Sequence, residues 1–197
     1  MYSNTTNLNT DFGVFKCFSV KEGNKEHLVL YKGEVQDEEC LVRIHSECLT
    51  GDVFKSQKCD CGYQLDSTLK KMSEQDNGIF IYLRQEGRDI GLFNKIEAYH
   101  LQEQGFDTVE ANVELGLPID DRNYDIAAQI LKKLAPSKIK LLTNNPFKLD
   151  ALISTLSIRI ERVAMHSPVC EHNEHYLKTK VSKLHHIAEC ELCNSIK

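Results

Sequence analysis

The chain has 197 residues, of which 41% are hydrophobic and 27% are charged, and this composition is ordinary for one globular domain. The formal net charge of −5 argues against broad binding to the phosphate backbone of nucleic acid, which needs a basic face. The polar N-terminus lacks the apolar core of a signal peptide, and no run of residues is apolar enough to span a membrane. We therefore expect a cytoplasmic protein with reduced thiols and no membrane partner.

Five short apolar runs predict β-strands, and they lie at residues 27–31, 40–44, 78–83, 138–142 and 158–163. Between and after these runs, apolar residues repeat at the spacing of an amphipathic helix. They are Leu65, Leu69 and Met72, then Ile126, Ile130 and Leu134, then Leu177, Val181, Leu184 and Ala188. The alternation predicts an α/β fold, a layered single domain with a mixed β-sheet flanked by helices.

Apolar patterning also sets the expected boundaries of this domain. It predicts a flexible N-terminal tail at residues 1–11, the catalytic domain at residues 12–188 and a polar C-terminal tail at residues 189–197. The C-terminal tail carries Cys190 and Cys193, and such a pair without two more ligands nearby is more typical of free thiols than of zinc. We therefore expect no metal ion in this tail.

Three cysteines in one short stretch indicate a metal site. Cys48, Cys59 and Cys61 lie in the polar, glycine-containing sequence CLTGDVFKSQKCDC, whereas structural free cysteines usually lie in apolar runs. Three thiolates leave one position of a tetrahedral zinc ion open for water, as in catalytic rather than structural zinc sites. The spacing therefore predicts one zinc ion per chain and hydrolytic chemistry.

The residues before the first cysteine alternate along a predicted strand. They are Arg43, Ile44, His45, Ser46 and Glu47. The cation, the imidazole and the carboxylate would share one face of the strand. That face could be solvated, but its position beside a metal site favours binding of a polar, phosphorylated substrate.

Two turns that follow predicted strands suit phosphate binding. Residues 84–88 precede a helix that should begin near Gly91, and residues 143–146 precede one that should begin at Pro146, with Lys148 in its first turn. Backbone N–H groups at such helix starts can hold phosphate, although neither turn has the P-loop or the Rossmann glycine pattern. Taken alone, the second turn is better explained by ordinary helix capping.

Five segments together resemble the GTP cyclohydrolase II family, and they lie between about Leu41 and about His186: RIHSECLTGD, KCDCGYQL, RQEGRDIGLFNKI, DTVEAN and LLTNNP. The resemblance implies an enzyme that hydrolyses GTP to 2,5-diamino-6-(5-phospho-D-ribosylamino)pyrimidin-4(3H)-one, formate and pyrophosphate, the first step of riboflavin biosynthesis. It also implies zinc, Mg²⁺ with the GTP phosphates, and a homodimer.

The resemblance implies a role for each matching residue. It makes Cys48, Cys59 and Cys61 the zinc ligands, and it assigns GTP binding to Arg43, Ile44, His45, Ser46, Glu47, Gln64, Glu86, Gly87, Arg88, Thr108, Thr143 and Lys148. It makes Asp120 a proton acceptor, Arg122 a nucleophile and Tyr99 a catalytic residue near the base. Tyr99 also fits an apolar helical stripe with Leu92 and Ile96, where it would simply be packed.

The chemistry constrains two of these roles. Guanine C8 lies between two nitrogens and is open to attack by activated water, with Tyr99 and His45 as candidate proton shuttles. A guanidinium, with a pKa above about 12, is a poor nucleophile. Arg122 could instead clamp the phosphate charge while water attacks, and the sequence leaves both roles open.

The resemblance begins near Leu41, so we expect a stand-alone form without the 3,4-dihydroxy-2-butanone 4-phosphate synthase domain that some members carry. Residues 164–172 do not resemble the family closely, and we assign them no role. Two other functions stay open. One is a paralogue that stops at the formamidopyrimidine nucleotide for a specialised pathway, and the other is a non-catalytic zinc or nucleotide-binding module. Tyr99, Asp120 and Arg122 favour the full reaction.

Overall fold

A computed structural model describes residues 1–187 of the chain. The strands in this range are β1 Thr6–Thr10, β2 Gly13–Glu22, β3 Lys25–Lys32, β4 Glu39–Ser46, β5 Gly78–Leu83, β6 Lys138–Leu142 and β7 Arg159–Val163. The helices are α1 Leu49–Asp52, α2 Cys61–Ser73, α3 Gly91–Glu103, α4 Thr108–Glu114, α5 Asp125–Leu134, α6 Pro146–Thr155 and α7 Glu174–Ser182. None of these helices is long and apolar enough to cross a bilayer. The predicted tail at 189–197, with Cys190 and Cys193, lies outside the described residues.

The chain divides into two compact units, each built from three segments. Unit 1 comprises Met1–His45, Leu65–Arg84 and Asn123–Ala164. Within the described residues, unit 2 comprises Ser46–Gln64, Gln85–Arg122 and residues 165–187. The sequence analysis proposed a single domain from 12 to 188, and it did not anticipate this division because the segments of the two units alternate along the chain.

Unit 1 contains a seven-stranded mixed sheet with the strand order β1-β2-β3-β5-β4-β6-β7. β2 pairs antiparallel with β1 and β3, and β3 pairs antiparallel with β5. β6 lies parallel to both β4 and β7. The predicted α/β fold with a mixed sheet is confirmed.

Both faces of the sheet are covered by helices. Ile79 and Ile81 of β5 belong to a buried cluster that includes Ile130 of α5 and Leu152 of α6. Phe80, between them, belongs to a second cluster with Leu69 and Met72 of α2. Because successive side chains of a strand point to opposite faces, the two clusters lie on opposite sides of the sheet.

The N-terminal strands correct the sequence prediction. Residues 1–11 were expected to form a flexible tail, yet Thr6 lies opposite Cys17, and Thr10 lies opposite Gly13 at the edge of the sheet. No residue of β1 is buried, so backbone hydrogen bonds rather than apolar packing hold it, and it has no apolar pattern. In β2, adjacent Cys17 and Phe18 are both buried, which interrupts the alternation that identifies strands.

Other elements agree more closely with the sequence. β5 and β6 have the predicted bounds, and α3 and α6 begin at the predicted Gly91 and Pro146. The last helix is shorter than its apolar pattern suggested, because α7 ends at Ser182 and Leu184 lies beyond it.

Candidate metal and nucleotide site

The three predicted zinc ligands come together in unit 2. Cys48 precedes α1, and Cys61 is the first residue of α2. The sulfur atoms of Cys48, Cys59 and Cys61 all lie within 4.8 Å of one another, and those of Cys48 and Cys59 are 3.7 Å apart. Two thiolates on a tetrahedral zinc ion, each at about 2.3 Å, are separated by about 3.8 Å. The cluster therefore has the donor type and the spacing that zinc requires.

Two glycines allow this close approach, and the sequence analysis did not single them out. A Cβ atom on Gly51 would lie 2.9 Å from the sulfur of Cys59 and 3.1 Å from that of Cys48. A Cβ atom on Gly62 would lie 2.2 Å from the carbonyl oxygen of Gly51. Each glycine lies within three residues of a ligand in CLTG or CDCG, which is the signal that could have identified them.

Lys95 of α3 is a buried cation beside the cysteines. Its Nζ atom lies 3.1 Å from Cys48 Sγ, 2.9 Å from Thr50 Oγ1 and 2.8 Å from Glu86 Oε1. The other oxygen of Glu86 accepts the Leu49 N–H at 2.6 Å. Hydrogen bonds from Cys59 and Cys61, together with Lys95, hold the pKa of Cys48 well below its usual range. The site thus favours a thiolate at Cys48, the form that binds a metal.

The sequence analysis assigned Glu86 to GTP and assigned nothing to Lys95. In the structure, Glu86 links Lys95 to the start of α1. Lys95 and Tyr99 are four residues apart on α3 and so share a face of the helix, which could have identified Lys95 once α3 was placed.

Tyr99 is directed toward the same group of residues. Lys95 Nζ lies 5.6 Å from the centroid of the Tyr99 ring. Burial raises the pKa of Tyr99 to about 12. Leu92 and Ile96 are exposed, so Tyr99 does not belong to a packed apolar stripe with them. A neutral phenol in this position is a candidate proton donor.

The turn after β5 adopts a left-handed backbone. Gly87, Arg88 and Asp89 have φ angles of 62°, 61° and 73°. Arg88 Nη1 lies 3.4 Å from the carbonyl oxygen of Ile119, and the carbonyl of Arg88 accepts the Asp121 N–H at 3.1 Å. The other terminal nitrogen of Arg88, Nη2, is buried without a hydrogen-bond partner among the described residues. Such a nitrogen suits an anionic ligand.

Asp120 and Arg122 form a two-point ion pair. Arg122 Nε donates to Asp120 Oδ1 at 2.8 Å, and Arg122 Nη2 donates to Asp120 Oδ2. Burial acts to raise the pKa of Asp120, but the hydrogen bonds from Arg122 outweigh it, and the pKa lies below its usual range. Asp120 is therefore ionised and keeps the guanidinium protonated, which supports a charge clamp rather than a nucleophile.

Four further predicted GTP contacts lie in unit 2, and two of them have side-chain hydrogen bonds within it. Ser46 Oγ donates to Gln85 Oε1 at 3.3 Å, and Gln64 Nε2 donates to Asp60 Oδ2 at 2.7 Å. Thr108 is the first residue of α4, whose start is capped by Asp107. Glu47 is half-buried next to Cys48.

In unit 1, the predicted residues of β4 are buried. Arg43 is 6% exposed and His45 is 1% exposed, which excludes a solvated strand face. Arg43 Nη1 donates to the Leu142 carbonyl at 2.9 Å, and the His45 ring stacks on Phe80 and Tyr82. The Ile44 side chain is packed in the core, so Ile44 can offer a ligand only its main chain.

The turn after β6 combines helix capping with a buried cation. Thr143 Oγ1 accepts the Asn145 N–H at 3.1 Å, and Asn145 Oδ1 accepts the Phe147 N–H at 3.0 Å, so this turn caps α6. Lys148 is buried, and its Nζ donates to the Ile44 carbonyl at 2.6 Å. Arg43 and Lys148 thus place two cations near the carboxyl ends of the neighbouring strands β4 and β6, where α/β sheets commonly bind ligands.

The sequence profile of the GTP cyclohydrolase II family matches residues 2–164. The chain belongs to this family. It is 52% identical over 183 residues to riboflavin biosynthesis protein RibBA of Bacillus cereus and 53% identical over 185 residues to RibBA of Bacillus velezensis. Each alignment covers 91% of this chain and 46% of the relative, so the chain spans about half the length of these relatives.

One solved structure shares the fold of the chain. It is the crystal structure of RibBX from A. baumannii, described as a two-domain 3,4-dihydroxy-2-butanone 4-phosphate synthase. The TM-score is 0.52 at 19% sequence identity, with 85% of this chain and 40% of that chain covered.

The family match confirms the predicted family and the prediction of an enzyme. It begins at residue 2, well before Leu41, so the family pattern includes the first three strands. It ends at residue 164, before α7. The roles of individual residues stay predictions.

Proposed function

We propose that the chain is a GTP cyclohydrolase II that hydrolyses GTP to 2,5-diamino-6-(5-phospho-D-ribosylamino)pyrimidin-4(3H)-one, formate and pyrophosphate in riboflavin biosynthesis. The observation that carries this proposal is the group of three cysteine sulfur atoms within 4.8 Å of one another, with Lys95 and Tyr99 beside it, in a chain of this family. GTP as substrate, Mg²⁺ on its phosphates, a homodimer and a cytoplasmic location are parts of the same proposal.

Cys48, Cys59 and Cys61 would hold zinc, which when bound supplies Lewis-acid activation of water for attack on C8. Lys95 and Glu86 orient the loop that carries Cys48. The neutral hydroxyl of Tyr99 donates a proton to a ring nitrogen as the bond to C8 breaks. Tyr99 also serves as the proton donor in the second hydrolysis, which releases formate.

Pyrophosphate release requires neutralisation of charge at the α-phosphate. In unit 2, Arg122, fixed by Asp120, clamps this charge, and the buried Nη2 of Arg88 binds a phosphate oxygen. Arg43 and Lys148, the predicted GTP contacts of unit 1, are buried cations near adjacent strand ends. Fixed cations suit this step because phosphoryl transfer depends on positioning and charge stabilisation.

Product analysis tests this proposal. The purified protein is incubated with GTP and Mg²⁺, and the products are identified by mass spectrometry together with assays for formate and pyrophosphate. The diaminopyrimidine product with both released groups is the expected result. A retained formamide would support the paralogue that stops after ring opening, and unchanged GTP would support a binding module. Either of these two results would contradict the proposal.

A further inference from the structure

Asp60, which lies between two of the cysteines, is a buried carboxylate. It is 4% exposed, and its chain neighbours are Cys59 and Cys61. Bound zinc with three thiolates carries a net negative charge, so a carboxylate in this loop adds like charge at short range. A buried carboxylate without a cation is strongly destabilising. The Cys59-Asp60-Cys61 loop therefore depends on the groups that compensate the negative charge of Asp60.

The compensation comes largely from Ser167, in the segment 164–172 to which the sequence assigns no role, and from Lys180 of α7. Lys180 Nζ of α7 lies 2.7 Å from Asp60 Oδ1, and its side chain is 13% exposed. Ser167 Oγ donates to Asp60 Oδ2 at 2.9 Å, and Gln64 Nε2 donates to the same oxygen at 2.7 Å.

Lys180 is held in place by its surroundings. Its Nζ lies 4.6 Å from the centroid of the Tyr176 ring, and its carbonyl accepts the His186 N–H at 2.9 Å. Lys183, the residue that directly follows α7, forms ion pairs with Asp107 and Glu110 at the start of α4. These contacts anchor the C-terminal end of the helix that carries Lys180.

We propose that Lys180 and Asp60 form a positioning pair that sets the geometry of the Cys59-Asp60-Cys61 loop for zinc binding. The segment that carries Ser167 and α7 is then part of the metal centre, although the family profile ends at residue 164. This inference rests on the proposed zinc site.

The test compares four full-length variants with the wild type. Lys180→Met removes the cation, and Ser167→Ala removes one neutral hydrogen bond to Asp60. Lys180→Met combined with Asp60→Asn removes both charges. Lys178→Met is the matched control, because Lys178 lies on the same helix, is 45% exposed and pairs with Glu174. Zinc affinity is measured by competition with a chromophoric chelator, and ligand geometry by the absorption spectrum of the Co²⁺-substituted protein.

Lys180→Met should weaken zinc binding by about 10–100-fold, which is the range typical when a residue that orients metal ligands is replaced. It should also shift the Co²⁺ spectrum. Ser167→Ala should weaken it less, and Lys178→Met should match the wild type. The double variant should recover most of the zinc affinity lost in Lys180→Met, because no uncompensated carboxylate remains. If Lys180 only stabilised the fold, the double variant would not recover zinc affinity.

The outcomes separate this inference from the proposed zinc site. If the wild type binds zinc and folded Lys180→Met has the same affinity and Co²⁺ spectrum, the positioning pair is wrong and the zinc site stands. If Lys180→Met does not fold, Ser167→Ala decides the question, because wild-type zinc affinity and an unchanged Co²⁺ spectrum in this variant would overturn the inference. If the wild type binds no zinc, both proposals fail.

Discussion

The ammonium group of Lys95 lies 3.1 Å from the sulfur of Cys48. This contact brings a buried cation from α3 to a cysteine that precedes α1. Zinc with three thiolates carries a net negative charge, whereas the three protonated thiols are neutral. A fixed cation therefore favours the zinc-bound state over the protonated state.

Lys95→Met should accordingly release zinc at a higher pH than the wild type. Without the cation, protons compete more effectively for Cys48, whose pKa rises toward its usual value. Zinc released during stepwise acidification is measured with a fluorescent indicator. Lys71→Met, at an exposed position of α2, is the control. A release midpoint equal to or below that of the wild type would show that Lys95 does not support the metal site.

Gly51→Ala and Gly62→Ala should each lower the zinc content of the protein. The added methyl group would lie 2.9 Å from Cys59 Sγ in the first variant and 2.2 Å from the Gly51 carbonyl oxygen in the second. Real Cβ atoms do not approach so closely, so the cysteine loops must move apart. Metal analysis after dialysis measures the effect, and Lys71→Ala controls for an added alanine in α2. Full zinc occupancy in both glycine variants would contradict the geometry described for this cluster.

Arg122→Met should abolish pyrophosphate release, while Arg122→Lys should retain part of it. A clamp requires positive charge, which lysine supplies without the two-point geometry that Asp120 holds. Pyrophosphate is assayed for each variant, and the wild type is quenched during turnover for intact-mass analysis. A covalent nucleotide adduct on Arg122 would show that this residue is the nucleophile after all.

His186 should make the wild type more sensitive to acid than His186→Gln. Burial, followed by the nearby Lys180, Arg122 and Arg88, lowers the pKa of His186 to about 2. An unfolded histidine titrates near about 6.5, so below that pH the unfolded state binds a proton that the folded state does not.

The stabilising contribution of neutral His186 is thus present above about pH 6.5 and is lost progressively as the pH falls toward about 2. Between pH 7 and pH 5 the wild type should lose roughly 2 kcal/mol more unfolding free energy than His186→Gln. Urea titrations at both pH values measure this difference. Equal losses would show that folding does not lower the pKa of His186.

Local sequence patterns predicted those strands and helix starts that depend mainly on neighbouring residues. The apolar runs located β5 and β6, and the turns located the starts of α3 and α6. β1 was not predicted because none of its five residues is buried and it is held by pairing with β2. The polar Asn and Thr residues of β1 carry no periodic signal for such an edge strand.

In the candidate metal site, too, the local features could be predicted from the sequence and the long-range contacts could not. The spacing of Cys48, Cys59 and Cys61 predicted a cluster that the structure brings together. The pairing of Asp60 with Lys180 joins residues 120 positions apart, and no local pattern encodes a contact of that range. Lys95 could be identified only after α3 had been placed, because its position relative to Tyr99 depends on helical geometry.

We propose that the three-cysteine cluster holds the zinc ion on which opening of the guanine ring depends. The most direct test of this claim is a paired measurement of zinc content and formate release in the wild type and in Cys59→Ser, with circular dichroism to verify folding. We predict one zinc ion per wild-type chain, little zinc in the variant, and formate release from the wild type alone. A folded, zinc-free Cys59→Ser protein that released formate from GTP at the wild-type rate would contradict the claim.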